Sequence, residues 1–340
     1  MPDLEHFGAQ TGGDFDQARA TYETLYGELN ASTYMTPDHL RFVIAAVATG
    51  GKLLLAGPYG TGKTTTAKAL ASMVGGTSSR LQGGEETRMS DMTGYYRFNR
   101  VTGEEDFVPG AVFANVPFVD ELHRVPGKPQ AGYVEAMEEG QVTVEGHTHE
   151  LPKPQVFIAT INPDAEETVK PVLLDRFTGS ITLPKQDAET RRKVLAKKRQ
   201  GHVTKSGLVS MEGEVTNLRA VVESERITLH EQIEEVANTI IDAVYAQPDV
   251  DHEDSVEGTF RHYLNILNVA RYAALAGASA ENGKESSIVT KGDVAFAVRF
   301  VMPHRIVPKM QAQSKGVSSE DIVERAISRA LSAPAIVPAR

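Results

Sequence analysis

The chain has 340 residues, of which 41% are hydrophobic and 24% charged, an ordinary globular composition with length enough for two domains. It contains no cysteine, which excludes disulfides and thiolate metal sites, and its formal net charge of −10 repels a phosphate backbone, so nucleic acid is not the expected partner. No run approaches the roughly 18 apolar residues of a membrane span. The opening Met1 to Gln10 lacks a basic-then-apolar leader pattern, so a cytoplasmic protein without membrane insertion is expected.

Phe15, Ala18, Tyr22, Leu25, Tyr26 and Leu29 recur at helical spacing over 14–29, with Asp14 placed to cap the helix. Thr36-Pro37-Asp38 opens a second helix that stops at Gly50-Gly51. Short continuous apolar runs then alternate with helical stretches: Leu53-Leu54-Leu55-Ala56, Phe118-Val119, Val156-Phe157-Ile158-Ala159 and Ile181-Thr182-Leu183. Continuous runs fit strands covered on both faces, and their alternation with helices predicts a parallel α/β sheet. Pro117 is expected at the entry of its strand, because a central strand needs its amides.

After about residue 187 helical periodicity takes over, at 188–200, 228–246, 259–277, 290–300 and 318–331. Thr290 and Ser318 read as N-caps, Thr290 with Asp293 three residues on. The expected organisation is an N-terminal helical extension (1–37), an α/β nucleotide-binding domain (38–186), and a smaller all-helical lid domain with a C-terminal tail (187–340).

Gly57-Pro58-Tyr59-Gly60-Thr61-Gly62-Lys63-Thr64 matches the phosphate-loop pattern at every fixed position, between a predicted strand and a predicted helix that begins at Thr65. The glycines let successive amides turn inward as an anion nest, and the helix N-terminus adds partial positive charge. Lys63 supplies a cation for the β- and γ-phosphates of ATP, and Thr64 a hydroxyl ligand for Mg²⁺. There is no Asn-Lys-x-Asp guanine signature.

Asp120 and Glu121 follow a buried strand, at the sheet edge where ligands bind in such folds. Asp120 suits the Mg²⁺ and Glu121 suits a general base for an attacking water. Asn162 either holds that water and senses the γ-phosphate, or simply turns the chain before Pro163. Arg176 either stabilises the transferring phosphoryl group, in cis or from a neighbouring subunit, or forms a surface ion pair with Asp175. His147 and His149 share one side of a strand, a metal pair or a solvated hairpin. Arg191-Arg192-Lys193 with Lys197-Lys198-Arg199 makes a basic helix, read as a solvated face.

In this order the chain resembles the MoxR family of AAA+ ATPases over about residues 38 to 333. The resemblance is carried by Ser90-Asp91-Met92-Thr93-Gly94, Thr102-Gly103-Glu104, Phe107-Val108-Pro109-Gly110 and Asp120-Glu121-Leu122-His123-Arg124, and continues through Glu135-Ala136-Met137-Glu138-Glu139, Ala159-Thr160-Ile161-Asn162-Pro163 and Leu174-Asp175-Arg176-Phe177. It implies that Asp120 and Glu121 are the Walker B pair, Asn162 the first sensor, Arg176 an arginine finger and Arg261 the lid arginine. It also implies a homo-oligomeric, usually hexameric ring, hairpin inserts at 90–110 and 139–152, a protein substrate, and an adaptor bearing a von Willebrand factor A domain. His123 departs from the family's Asn. The function expected is ATP hydrolysis that remodels or matures protein complexes. A nucleotide-gated assembly module with little turnover, or a chelatase-like or nucleic-acid motor subunit, are the alternatives.

Overall fold

The structure, a computed structural model, describes residues 15–33, 35–74, 76–153, 155–162, 169–183, 192, 218–222, 227–256, 259–277 and 288–332. The predicted basic helix at 188–200, apart from Arg192, and the Asp14 cap lie outside these residues.

Helices α1 (Phe15–Ser32) and α2 (Pro37–Ala48) come first. Thr36 caps α2 by accepting from the His39 amide, and Pro37 occupies the first turn, where its missing N–H costs nothing. Strand β1 (Lys52–Ala56) leads through the phosphate loop into α3 (Lys63–Val74), and β2 (Ser78–Gln82) follows. A short α4 (Met89–Thr93) introduces an antiparallel hairpin, β3 (Tyr95–Phe98) with β4 (Glu105–Val108). Next come β5 (Val116–Asp120), α5 (Gly127–Glu139), the hairpin β6 (Gln141–Val144) with β7 (His147–Glu150), β8 (Phe157–Ile161), α6 (Pro171–Leu174) and β9 (Gly179–Thr182). Beyond the sheet the described elements are helical: α7 (Glu231–Tyr245), α8 (Phe260–Leu275), α9 (Lys291–Val301), α10 (Met310–Gln313) and α11 (Ser319–Ser332). Thr290 and Ser318 cap α9 and α11 as expected, each bonded to an Asp three residues on.

The central sheet has the order β2-β5-β8-β1-β9 and is parallel throughout. Parallel strands aim all their C-terminal ends at one edge, and here those of β1, β5 and β8 deliver the phosphate loop, Asp120 and Asn162 to it. Pro117 lies one residue inside β5 rather than at its entry. It is tolerated because the β8 ladder begins only at Phe118, so no β8 carbonyl waits for its amide.

Side chains of β1 divide between two cores, as strand alternation requires. Leu53 and Leu55 face a core shared by α1, α2, α3 and the C-terminal helices, whereas Leu54 faces the core of α5 and the two hairpins. Phe42 of α2 stacks on Phe300 of α9 at 4.6 Å, so the N-terminal helices and the C-terminal helices bury one another.

Arg305 is 1% exposed and fixes the helical part to the sheet. Its guanidinium donates to the carbonyls of Asp175 (3.0 Å) and Phe177 (2.6 Å), just before β9, and also to Val301. A buried cation with these bonds is costly to break from one side. Arg305→Met is therefore expected to cost about 3–5 kcal/mol in chemical denaturation. A loss within measurement error would mean that apolar contacts alone dock the helices.

Candidate functional site

A cleft of about 380 Å³ opens at the C-terminal edge of the sheet, lined by Tyr59 to Thr65 with Gln82, Asp120 and Glu121. Gly57 enters the loop at φ 147°, and a Cβ there would lie 2.5 Å from the Leu183 carbonyl oxygen, so only glycine fits. Lys63 donates to the carbonyls of Gly57 and Pro58, the latter at 2.9 Å, and lies over the exposed Tyr59 ring. Burial pulls the Lys63 ammonium below its ordinary range, and the carboxylates of Asp120 and Glu121 act against that shift. Its hydrogen bonds go to backbone oxygens that a phosphate oxygen can replace. Pro58, Gly60, Thr61, Gly62 and Thr65 complete the loop, with Thr61 Oγ1 donating to the Pro58 carbonyl at 3.0 Å.

Asp120 is 5% exposed and accepts from three side chains. Thr64 donates to Oδ2 at 3.0 Å, Arg80 donates to Oδ2 at 2.7 Å and Thr160 donates to Oδ1 at 2.7 Å. Burial pushes its carboxyl up, but these bonds and the Arg80 charge outweigh burial and hold it below the usual range, ionised. Thr64 hydroxyl beside an ionised carboxylate is a hard-oxygen donor pair of the kind Mg²⁺ takes, with the remaining positions left to water and phosphate oxygens. Arg80 now supplies positive charge to that carboxylate.

Glu121 adopts φ 59° and ψ 52°, a left-handed conformation that costs a non-glycine residue on the order of 1–3 kcal/mol. Two contacts hold it there. Its amide donates to Thr160 Oγ1 at 2.8 Å, and its carbonyl oxygen would lie 2.2 Å from any Cβ at position 83, so Gly83 makes room for the turn. The Glu121 carboxylate accepts from Gln82 and Arg124, both at 3.2 Å. Sequence reading missed Arg80, Gln82, Gly83 and Thr160. The first two lie on a polar edge strand, and the roles of all four come from contacts or close backbone approach 38 to 40 residues away in sequence.

Asn162 follows β8 beside the cleft, and its amide donates to His123 Nδ1 at 3.3 Å. The buried His123 thus ties the turn after Glu121 to the end of β8.

Arg176 and Arg261 are brought together, but away from the cleft. The Thr178 amide bonds the carbonyl of Lys52, which opens β1, whereas the phosphate loop leaves β1 after Ala56. The strand separates the two by about 13 Å, at roughly 3.3 Å per residue. Arg176 pairs with Glu138 and with Asp175 (3.3 Å); Arg261 pairs with Glu138 and Asp175, both at 2.7 Å. Of the two roles expected of Arg176, the ion pair with Asp175 is thus present. His147 and His149 pack into the hairpins: His149 stacks on Phe107 at 3.9 Å and bonds the Tyr96 hydroxyl at 3.1 Å.

Asp175 also meets His262 Nε2 at 2.9 Å and the Thr259 hydroxyl at 3.3 Å. Burial holds His262 below the ordinary imidazole range, with Arg305 and Arg261 adding to that against the pull of Asp175. The unfolded imidazole binds its proton near pH 6.5, the folded one only at lower pH. Stability linked to His262 is therefore full above about pH 6.5 and declines as pH falls through the depressed folded value. His262→Gln is expected to flatten the fall in Tm between about pH 6.5 and pH 5; an unchanged slope would exonerate this histidine. Separately, Lys63→Ala is expected to weaken ATP binding about 10–100-fold by calorimetry, the value of charge-assisted bonds to phosphate. Undiminished affinity would remove the cleft as the triphosphate site.

The sequence profile of the ATPase family associated with various cellular activities (AAA) matches residues 52–178. A Bacillus subtilis protein, YeaC, is 29% identical over 296 residues, 84% of this chain and 86% of that protein. The chaperone MoxR1 of Mycobacterium tuberculosis is 26% identical over 292 residues, 84% of this chain and 75% of its own length. A solved structure from Cytophaga hutchinsonii, described as a candidate ATPase, shares the fold with a TM-score of 0.76 at 23% identity, covering 92% of this chain and 95% of that one. Among the described residues no helix is long and apolar enough to cross a membrane.

Proposed function

We propose that this chain, which belongs to the MoxR family of AAA+ ATPases, hydrolyses Mg-ATP at the interfaces of a homo-oligomeric ring and uses the cycle to remodel or mature protein complexes. The observation that carries the proposal is the division of the site between opposite edges of the sheet. The phosphate loop, Asp120 and Glu121 share one edge, while Arg176 and Arg261 sit together at the other. Arginines that face away from their own cleft suit the cleft of a neighbour.

In this mechanism the loop amides and Lys63 grip the β- and γ-phosphates, Lys63 giving up the Gly57 and Pro58 carbonyls to do so. Thr64 and Asp120 would hold the Mg²⁺, which when bound would neutralise charge on the phosphates. Glu121, freed from Gln82 and Arg124, accepts the proton of the attacking water. Asn162 orients that water from the end of β8. Arg176 and Arg261 of the adjacent subunit stabilise the charge of the transferring phosphoryl group. Closure of the helical part against the sheet, anchored through Arg305 and Asp175, then moves the hairpins β3–β4 and β6–β7, which engage the protein substrate. Phe98 and Val101 are exposed on the first of these hairpins and suit such contact. A hexameric ring and an adaptor with a von Willebrand factor A domain, which the resemblance in sequence implies, complete the reading.

Glu121→Gln is expected to lower steady-state hydrolysis about 10²–10⁴-fold with ATP binding retained. Arg176→Ala is expected to lose about 10³–10⁵-fold. Mixing the two inactive variants should restore activity, because an intact Glu121 and an intact Arg176 then meet at shared interfaces. Two variants that stay silent when mixed would sink the intersubunit site. Full hydrolysis by Glu121→Gln would instead sink the assigned base.

A further inference from the structure

Glu138 lies in the last turn of α5, at the sheet edge opposite the cleft, and its side chain is 41% exposed. Its two carboxylate oxygens serve two different arginines. Oε2 accepts from Arg176, through Nε at 3.0 Å and through a second guanidinium nitrogen, and Oε1 accepts from Arg261 at 2.7 Å. Asp175 holds the same two arginines from the inner side, at 3.3 Å and 2.7 Å.

The two acids are not equivalent. Asp175 has a side chain 4% exposed and also serves His262, Thr259 and Arg305, so it cannot leave without orphaning buried groups. Glu138 has solvent on its free side and, among the described contacts, no partners beyond these two arginines. It engages Arg176 by one oxygen that accepts from two guanidinium nitrogens, an edge that a phosphate oxygen can also occupy. Burial pushes the Glu138 carboxyl up, but the bonds and charges of Arg176 and Arg261 outweigh this and keep it ionised. Lys52, at the start of β1, adds a third positive charge within reach of this group.

We propose that Glu138 is an ionic catch: a carboxylate that stands where a phosphate would, keeps Arg176 and Arg261 side by side in the unliganded subunit, and yields them to the triphosphate bound by the neighbour. The proposal rests on the intersubunit reading above. Because the arginines must exchange one anion for another, Glu138 raises the ATP concentration at which subunits lock together. The pair is partly exposed, so the effect is moderate and falls with salt.

The test uses the full chain carrying Glu121→Gln, which holds ATP without turnover. The ATP concentration at half-maximal assembly is read by analytical ultracentrifugation at fixed protein concentration. Adding Glu138→Gln is expected to lower that concentration about three- to tenfold. Glu138→Asp, which keeps the charge, is expected to return it towards the parent. The shift is expected to vanish when Arg176→Ala and Arg261→Ala are both present, since the catch then has nothing to hold. With Glu121 intact, Glu138→Gln should lower the KM for ATP and leave kcat within about twofold. An unchanged or higher ATP requirement, a fall in kcat at unchanged KM, or a shift that persists without the arginines would overturn the proposal. A Glu121→Gln parent that never assembles with ATP would overturn the intersubunit reading and the catch with it. An assembling parent that ignores Glu138→Gln would remove the catch alone.

Discussion

Asp120 accepts from Thr64 on one side and from Thr160 on the other, and on those two bonds the geometry of the cleft depends. Thr64 stands in the first turn of α3, Asp120 ends β5, and Thr160 lies next to the end of β8. Three successive parts of the chain are thereby held to one carboxylate at the mouth of the sheet. The same Thr160 oxygen receives the amide of Glu121 and fixes that residue in its strained left-handed conformation. One hydroxyl thus sets the positions of both acids. Strain of this kind survives only where surroundings over-determine it, and here a hydrogen bond and the missing side chain of Gly83 do so.

The opposite edge is organised by the same means. Asp120 gathers two hydroxyls and one arginine, whereas Asp175 gathers three arginines, a histidine and a hydroxyl. Asp175 draws on Arg176 beside it, on Thr259, Arg261 and His262 at the start of α8, and on Arg305 after α9. Burial alone would raise its carboxyl, but this surround holds it far below the usual range. A single buried charge therefore ties the arginine of the sheet to the arginine of the helical part, and neither can shift without the other.

What was legible in the sequence is what is dictated locally. The phosphate loop is a contiguous stretch whose glycines and lysine answer to one ligand, and the runs before it and at Val156 to Ala159 are apolar because both faces of those strands are covered. The helices α7 and α11 were readable because each shows one buried stripe at helical spacing. Strand β2 was not readable, because Ser78-Ser79-Arg80-Leu81-Gln82 lies at the sheet edge and is polar on both faces. Yet it carries two residues that bond the acidic pair. The hub at Asp175 was equally opaque. Nothing near Arg305 in the chain announces that a charged residue there is almost wholly buried, since its partners lie about 130 residues earlier. Nor does the amphipathic pattern of α1 and α2 reveal that their apolar faces are covered by helices from the far end of the chain.

Strand length gives the final constraint. The five residues of β1 separate the triphosphate grip from the arginine pair by a distance no side chain of the same subunit spans. A shorter or antiparallel sheet would bring the two ends together and let one subunit complete its own site. The parallel order β2-β5-β8-β1-β9 forbids this by sending every C-terminal end the same way. A chain built so has an anion-binding half and a cation-presenting half at opposite poles, which is a heterologous pair of surfaces, and heterologous contacts close into rings when the rotation between copies allows. In the proposed ring, the separation of the cleft from the arginine pair is the feature that would make bound nucleotide the link between neighbouring subunits.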